Sequence, residues 1–203
     1  MRDVLRNYGR ADDLMARFGL TPEVGVKIAA IITFAGAIEF YLERTLWRLR
    51  GIEPNGIRPN TDAKPITDLI AMMEQHGRGL ADEDQRRFVE SWCAAARSGF
   101  IIRHNIAHGL PGRLGDTLTY MRNPRWEGER RKREFGDFWA TRDTLVVVCD
   151  AMATLLRPVA QLTFDGASLE RVATPKAQSA LHSARSVLGE FASQTYNPSY
   201  EKY

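Results

Sequence analysis

The stretch from Thr21 to Gly51 constrains this 203-residue chain more than any other. Thr21 is placed to cap a helix, Pro22 suits the first helical position, and Glu23 adds a favourable charge to the first turn. Apolar residues then recur at Val24, Ile28, Ile31, Ala35, Ile38, Leu42, Leu46 and Leu49, the three-and-four spacing of a helix. A helix over this stretch spans ~43 Å, longer than most in globular proteins. Its middle is apolar on nearly every side, so it is expected to be a central helix, stopped by Gly51.

Other elements must pack around it. Met1 to Phe18 is polar with a short helical pattern closed by Gly19. Gly51 to Lys64 carries Pro54-Asn55-Gly56 and Pro59-Asn60 and reads as a loop. Pro65 opens a helix ending near His76 and Gly77. Asp82 to His108 forms the next, with Phe88, Trp92, Ala95, Gly99, Ile102 and Ile106 on one seam, ended by Gly109 and Pro111. The helical period then breaks, and Thr117–Met121 pairs with Phe135–Trp139 as a small β-hairpin. Thr141 caps another helix, with a kink expected at Pro158. Thr174-Pro175 starts the last. The fold class is therefore all-α: a helical bundle over residues 1–196, with a hairpin or loop insertion at 110–140 and a disordered tail at 197–203.

A chain of this length can bury ~70% of its unfolded surface without a metal or disulfide staple. Cys93 and Cys149, the only cysteines, sit within apolar helical patterns and read as reduced core thiols. The longest uncharged apolar run, Ile28 to Ile38, is shorter than the ~20 residues of a membrane span. No signal-peptide pattern follows Arg2, Asp3 and Arg6. The expectation is a soluble cytoplasmic protein. Net charge is only +3, but the segment Arg122–Arg133 concentrates it, with Arg122, Arg125, Arg130, Arg131, Lys132 and Arg133 against Glu127 and Glu129. With Trp126 available to stack on a base, that segment is a candidate RNA-gripping arm.

The end of the second long helix carries the chemistry. Ile101-Ile102-Arg103-His104-Asn105-Ile106-Ala107-His108-Gly109 holds two of the four histidines. On an ideal helix His104 and His108 are about 40° apart and stack on one face, with Arg103 about 140° from His108. The plain reading is that cations at a helix C-terminus complement its dipole. A metal site would need a glutamate or a third ligand, and neither is evident. Arg103 falls in a row with Val89, Cys93, Ala96, Phe100 and Ala107, where its charge needs a partner. Glu39, in the apolar stretch Ala37-Ile38-Glu39-Phe40, is one candidate and a ligand phosphate another.

The string Ile-Arg-His-Asn-Ile-Ala-His-Gly resembles the HEPN (higher eukaryote and prokaryote nucleotide-binding) motif: Arg, a polar residue, three more residues, then His. Arg103, His104 and His108 take those places, and the acidic residue amid apolar ones at Glu39 also resembles the family. The likeness covers about ten residues plus the helical layout. It implies a HEPN-like bundle acting as an endoribonuclease with no metal or other cofactor. It also implies a homodimer in which two motifs meet, with RNA as substrate. His108 is then the general acid/base, Arg103 the phosphate clamp and His104 a positioning or second proton-transfer group. Arg122, Arg125, Trp126, Arg130, Arg131 and Arg133 would contact substrate, and Glu39 and Asn105 would support the site from behind. Toxin or phage-defence roles, with a possible antitoxin partner, follow from the same likeness. The competing readings are a non-catalytic HEPN domain that binds RNA or nucleotide and a helical dimerisation or interaction module.

Overall fold

The computed structural model describes residues 2–130, 132 and 135–193. Arg131, Arg133 and the 197–203 tail lie outside these residues. Two short helices, α1 (Arg2–Gly9) and α2 (Ala11–Arg17), open the chain where one short helical pattern was expected. Arg10 separates them in a left-handed conformation, φ 44°. The long helix α3 (Pro22–Leu49) follows, 28 residues capped by Thr21, whose hydroxyl accepts from the Val24 amide. Then come α4 (Ile66–Arg78) and α5 (Glu83–His108), the second capped by Asp82.

α6 (Arg142–Phe164) is capped by Thr141 and continues through the buried Pro158 to Phe164. Proline removes one backbone bond there. Side chains from neighbouring helices meet nearby carbonyls: Trp92 Nε1 donates to Leu155 O at 2.8 Å, and Thr45 Oγ1 to Val159 O at 3.3 Å. The Arg48 guanidinium donates to the Leu162 and Gly166 carbonyls, satisfying the end of α6 with a favourably placed charge. A single turn, α7 (Leu169–Val172), leads to α8 (Pro175–Ala192).

α3 packs mainly on α6, α6 on α8, and α8 on α5, while α4 lies against α5. The core runs through all of them, from Ile31, Ile38 and Leu42 on α3 to Phe88 and Trp92 on α5, Met152 and Leu155 on α6, and Leu188 on α8. Gly99 permits a close approach of α5 to α6, since a Cβ there would sit 2.7 Å from Met152 Sδ. Both cysteines are buried. Desolvation pushes the Cys93 thiol up to about 12, and burial raises Cys149 as well, which suits unreactive thiols.

α3 and α6 are each long and apolar enough, by length and composition, to cross a membrane. Counting only the uninterrupted run misses this for α3, because that run stops at Lys27 and Glu39. Half of the apolar window of α6 is buried inside the fold.

The fold is mostly helical, and the insertion after α5 is a three-stranded antiparallel sheet in the order β1-β2-β3, one strand more than the expected hairpin. β2 (Thr117–Arg122) pairs with β3 (Gly136–Trp139), Tyr120 opposite Phe138, where the hairpin was expected. β1 (Leu110–Leu114) was not expected, since Gly109 and Pro111 read as a helix stop. It is an edge strand, where proline is tolerated, joined to β2 through Gly115 at φ 60° and Asp116. The sheet packs against α5. Leu118, Tyr120 and Phe138 supply its buried face, so the motif end of α5 rests on a rigid platform.

Candidate functional site

α5 passes directly into β1 at Gly109. The residue is not left-handed; φ is −77° and ψ is 153°. Glycine is required for space: a Cβ would lie 2.3 Å from Asn105 O and 3.1 Å from Tyr120 Cβ. The Gly109 amide donates to Asn105 O at 2.7 Å. Asn105 is 2% exposed, and its Nδ2 donates to the Asp137 carbonyl of β3 at 3.1 Å. Asn105 therefore ties the motif helix to the sheet. Its Oδ1 is buried without a partner. Burial raises the pKa of the Asp137 carboxyl, opposed by the 3.0 Å bond it accepts from Trp139 Nε1.

The two motif imidazoles meet. Ring centroids of His104 and His108 are 4.6 Å apart with planes tilted by 51°, as the spacing predicts. His108 is exposed and His104 half-buried. Arg103 is half-buried on another side of the helix, and its Nε is buried without a hydrogen-bond partner.

Arg103 and His104 line a cavity of about 400 Å³ between α5 and the start of α4. Arg97 and Arg122 complete its cationic lining, and Ile66, Ile70, Phe100 and Ile101 its apolar one. Arg97 is held by Glu74 of α4 at 2.5 Å, a bond that lowers the Glu74 pKa. His108 is not part of this lining, so within one chain Arg103 and His108 do not share a pocket. His104 is the link between them, lining the cavity and touching the His108 ring.

The expected Glu39–Arg103 pair is not formed. Among the described residues no ion pair joins them, and Glu39 does not line the cavity. α3 makes its main contacts with α6 and much smaller ones with α5, which keeps Glu39 from the motif. Among the described residues of the basic segment only Arg122, at the end of β2, lines the cavity. Arg125, Trp126 and Arg130 lie on the loop between β2 and β3, Trp126 with 69% of its surface exposed. Among the described residues no group of three or more His, Cys, Asp and Glu side chains is placed to hold a metal.

Sequence reasoning missed the cavity although one signal was present. Arg97, Phe100, Ile101 and His104 stand at i, i+3, i+4 and i+7, one continuous helix face. A larger cleft of about 670 Å³ lies between α2 and the sheet. Its two arginines are paired, Arg113 with Asp116 and Arg142 with Glu23, and no motif residue lines it.

No protein-family model matches this chain, and neither does any curated protein or solved structure.

Proposed function

We propose that this chain is a HEPN-type endoribonuclease that cleaves RNA without a metal, acting as a homodimer. The observation that carries the reading is the His104–His108 ring pair at a helix terminus one residue from a half-buried arginine with an unmet donor. Imidazole exchanges protons near neutral pH, and guanidinium binds phosphate in bidentate fashion.

In this reaction a base takes the proton of the ribose 2′-hydroxyl, whose oxygen attacks phosphorus. The bond from phosphorus to the 5′-oxygen breaks, and an acid protonates the leaving oxygen. The products are a 2′,3′-cyclic phosphate and a 5′-hydroxyl. His108, exposed to substrate, is the proton-transfer group; His104 positions it or serves as the second. Arg103 neutralises the charge that builds on the phosphate. DNA lacks the nucleophile and is not cut.

The dimer supplies what one chain leaves apart. Because Arg103 and His108 do not line one pocket, a second motif brought alongside completes a site in which each imidazole faces an arginine across the interface. Val26, 67% exposed, and Phe40, 48% exposed, leave α3 an outward apolar surface for such contacts. A toxin or phage-defence role, with an antitoxin that covers the site, is the biological setting this reading implies. A second reading, an RNA- or nucleotide-binding domain without catalysis, is favoured by the same separation of Arg103 from His108.

Incubating the protein with structured RNA and excess EDTA tests the choice. Fragments ending in 2′,3′-cyclic phosphate support the nuclease. RNA retained but uncut supports the binding domain, and neither outcome leaves a helical interaction module.

A further inference from the structure

We propose that the cavity beside Arg103 is a nucleobase subsite that takes one unpaired base of single-stranded RNA. This deepens the ribonuclease reading and rests on it. The cavity's two kinds of lining match the two halves of a nucleotide. Ile66, Ile70, Phe100 and Ile101 give an apolar interior for a flat base. Arg103 brings positive charge for a phosphate, with Arg97, held by Glu74, and Arg122 on the same lining. Its volume, about 400 Å³, falls within the ~300–1,000 Å³ of small-ligand pockets. The second observation is the Arg103 Nε–H, buried without an acceptor, so that a turn of the guanidinium into the cavity gains a base carbonyl or a phosphate oxygen and gives up no hydrogen bond at Nε.

Position links the subsite to the chemistry. His104 lines the cavity and touches the His108 ring, so a seated base brings its own ribose and phosphate to the two imidazoles. A paired base stacked within a helix cannot enter, which makes the site selective for loops, bulges and ends. The bound form is an extruded nucleotide, and duplex RNA contacts only the cationic rim.

The test is equilibrium binding of the full chain to a short labelled RNA whose riboses are 2′-O-methylated, so that it cannot be cut, read by fluorescence anisotropy. Single-stranded, duplex and abasic forms are compared. Thr67 lines the cavity and is exposed, so Thr67→Trp fills the space from its mouth. Ile101, 45% exposed, gives a second variant, Ile101→Glu, which places a carboxylate in the apolar wall. Either variant, once circular dichroism shows it folded, is expected to lower single-strand affinity about tenfold and to leave duplex affinity unchanged. An abasic strand should lose a similar factor on the wild type. Wild-type affinity in both variants, equal binding of the abasic strand, or no binding to single strands overturns the subsite. Cleavage that persists while the variants bind normally sinks the subsite alone. The expected binding pattern without any cleavage sinks the nuclease and keeps the subsite.

Discussion

Asn105 Nδ2 donates to the backbone carbonyl of Asp137 at 3.1 Å, joining the helix that carries Arg103, His104 and His108 to the third strand of the sheet. The motif's third residue thereby holds the helix end to the sheet. Asn105→Ala removes the side-chain partner of the part-buried Asp137 carbonyl, at about 1–3 kcal/mol, but also removes the unpartnered Oδ1. The expected loss is therefore near the lower end of that range, measured as a fall in the urea midpoint with the slope unchanged.

Gly109 and Gly99 separate backbone crowding from side-chain crowding. In Gly109→Ala the new Cβ meets a backbone oxygen at 2.3 Å, which cannot move without unwinding the helix end. In Gly99→Ala it meets Met152 Sδ at 2.7 Å, and a methionine side chain can turn aside. Gly109→Ala is expected to lose about 1–3 kcal/mol and Gly99→Ala less. Thermal melts that reverse the order would contradict this account.

Arg103→Met should divide stability from function. It removes a buried donor without a partner, so the variant is expected to melt at or above the wild-type temperature. Loss of the phosphate clamp should lower RNA cleavage by about 10²–10³. A marked drop in melting temperature would show that Arg103 is structural.

Two carboxyls are expected to give opposite pH dependence. Hydrogen bonding and charge from Arg97 hold the Glu74 pKa below its ordinary 4.5. Its stabilisation is present above pH 4.5 and lost as pH falls through the lowered folded value, so the wild type's advantage over Glu74→Gln should shrink in acid. Burial raises Asp137 from 3.8, so that contribution is present below 3.8 and lost as pH rises through the raised value. Asp137→Asn should gain on the wild type across that rise and stay level above it. Urea titrations between about pH 3 and 7 read both.

The parts of the fold legible in the sequence are those fixed by local periodicity and capping. Thr21, Asp82 and Thr141 cap helices where hydrogen-bonding side chains precede apolar periods, and β2 and β3 pair where a hairpin was expected. Local rules misled where context overrides them. Pro111 signals an end to structure, yet an edge strand accepts it, and a single turn such as α7 is too short to show a period. The stacked histidines were readable because both lie on one helix. The cavity depends on α4 and β2 reaching α5, and spacing along one segment carries no record of that. Glu39 was assigned to Arg103 on polarity alone, whereas helix packing turns α3 toward α6.

His108→Ala is the most direct test of the central claim. The variant is expected to keep the wild-type circular dichroism spectrum, since His108 is exposed and ends its helix. Removing the proton-transfer group should slow RNA cleavage in EDTA by about 10²–10⁴. Cleavage at the wild-type rate by folded His108→Ala protein would contradict the account.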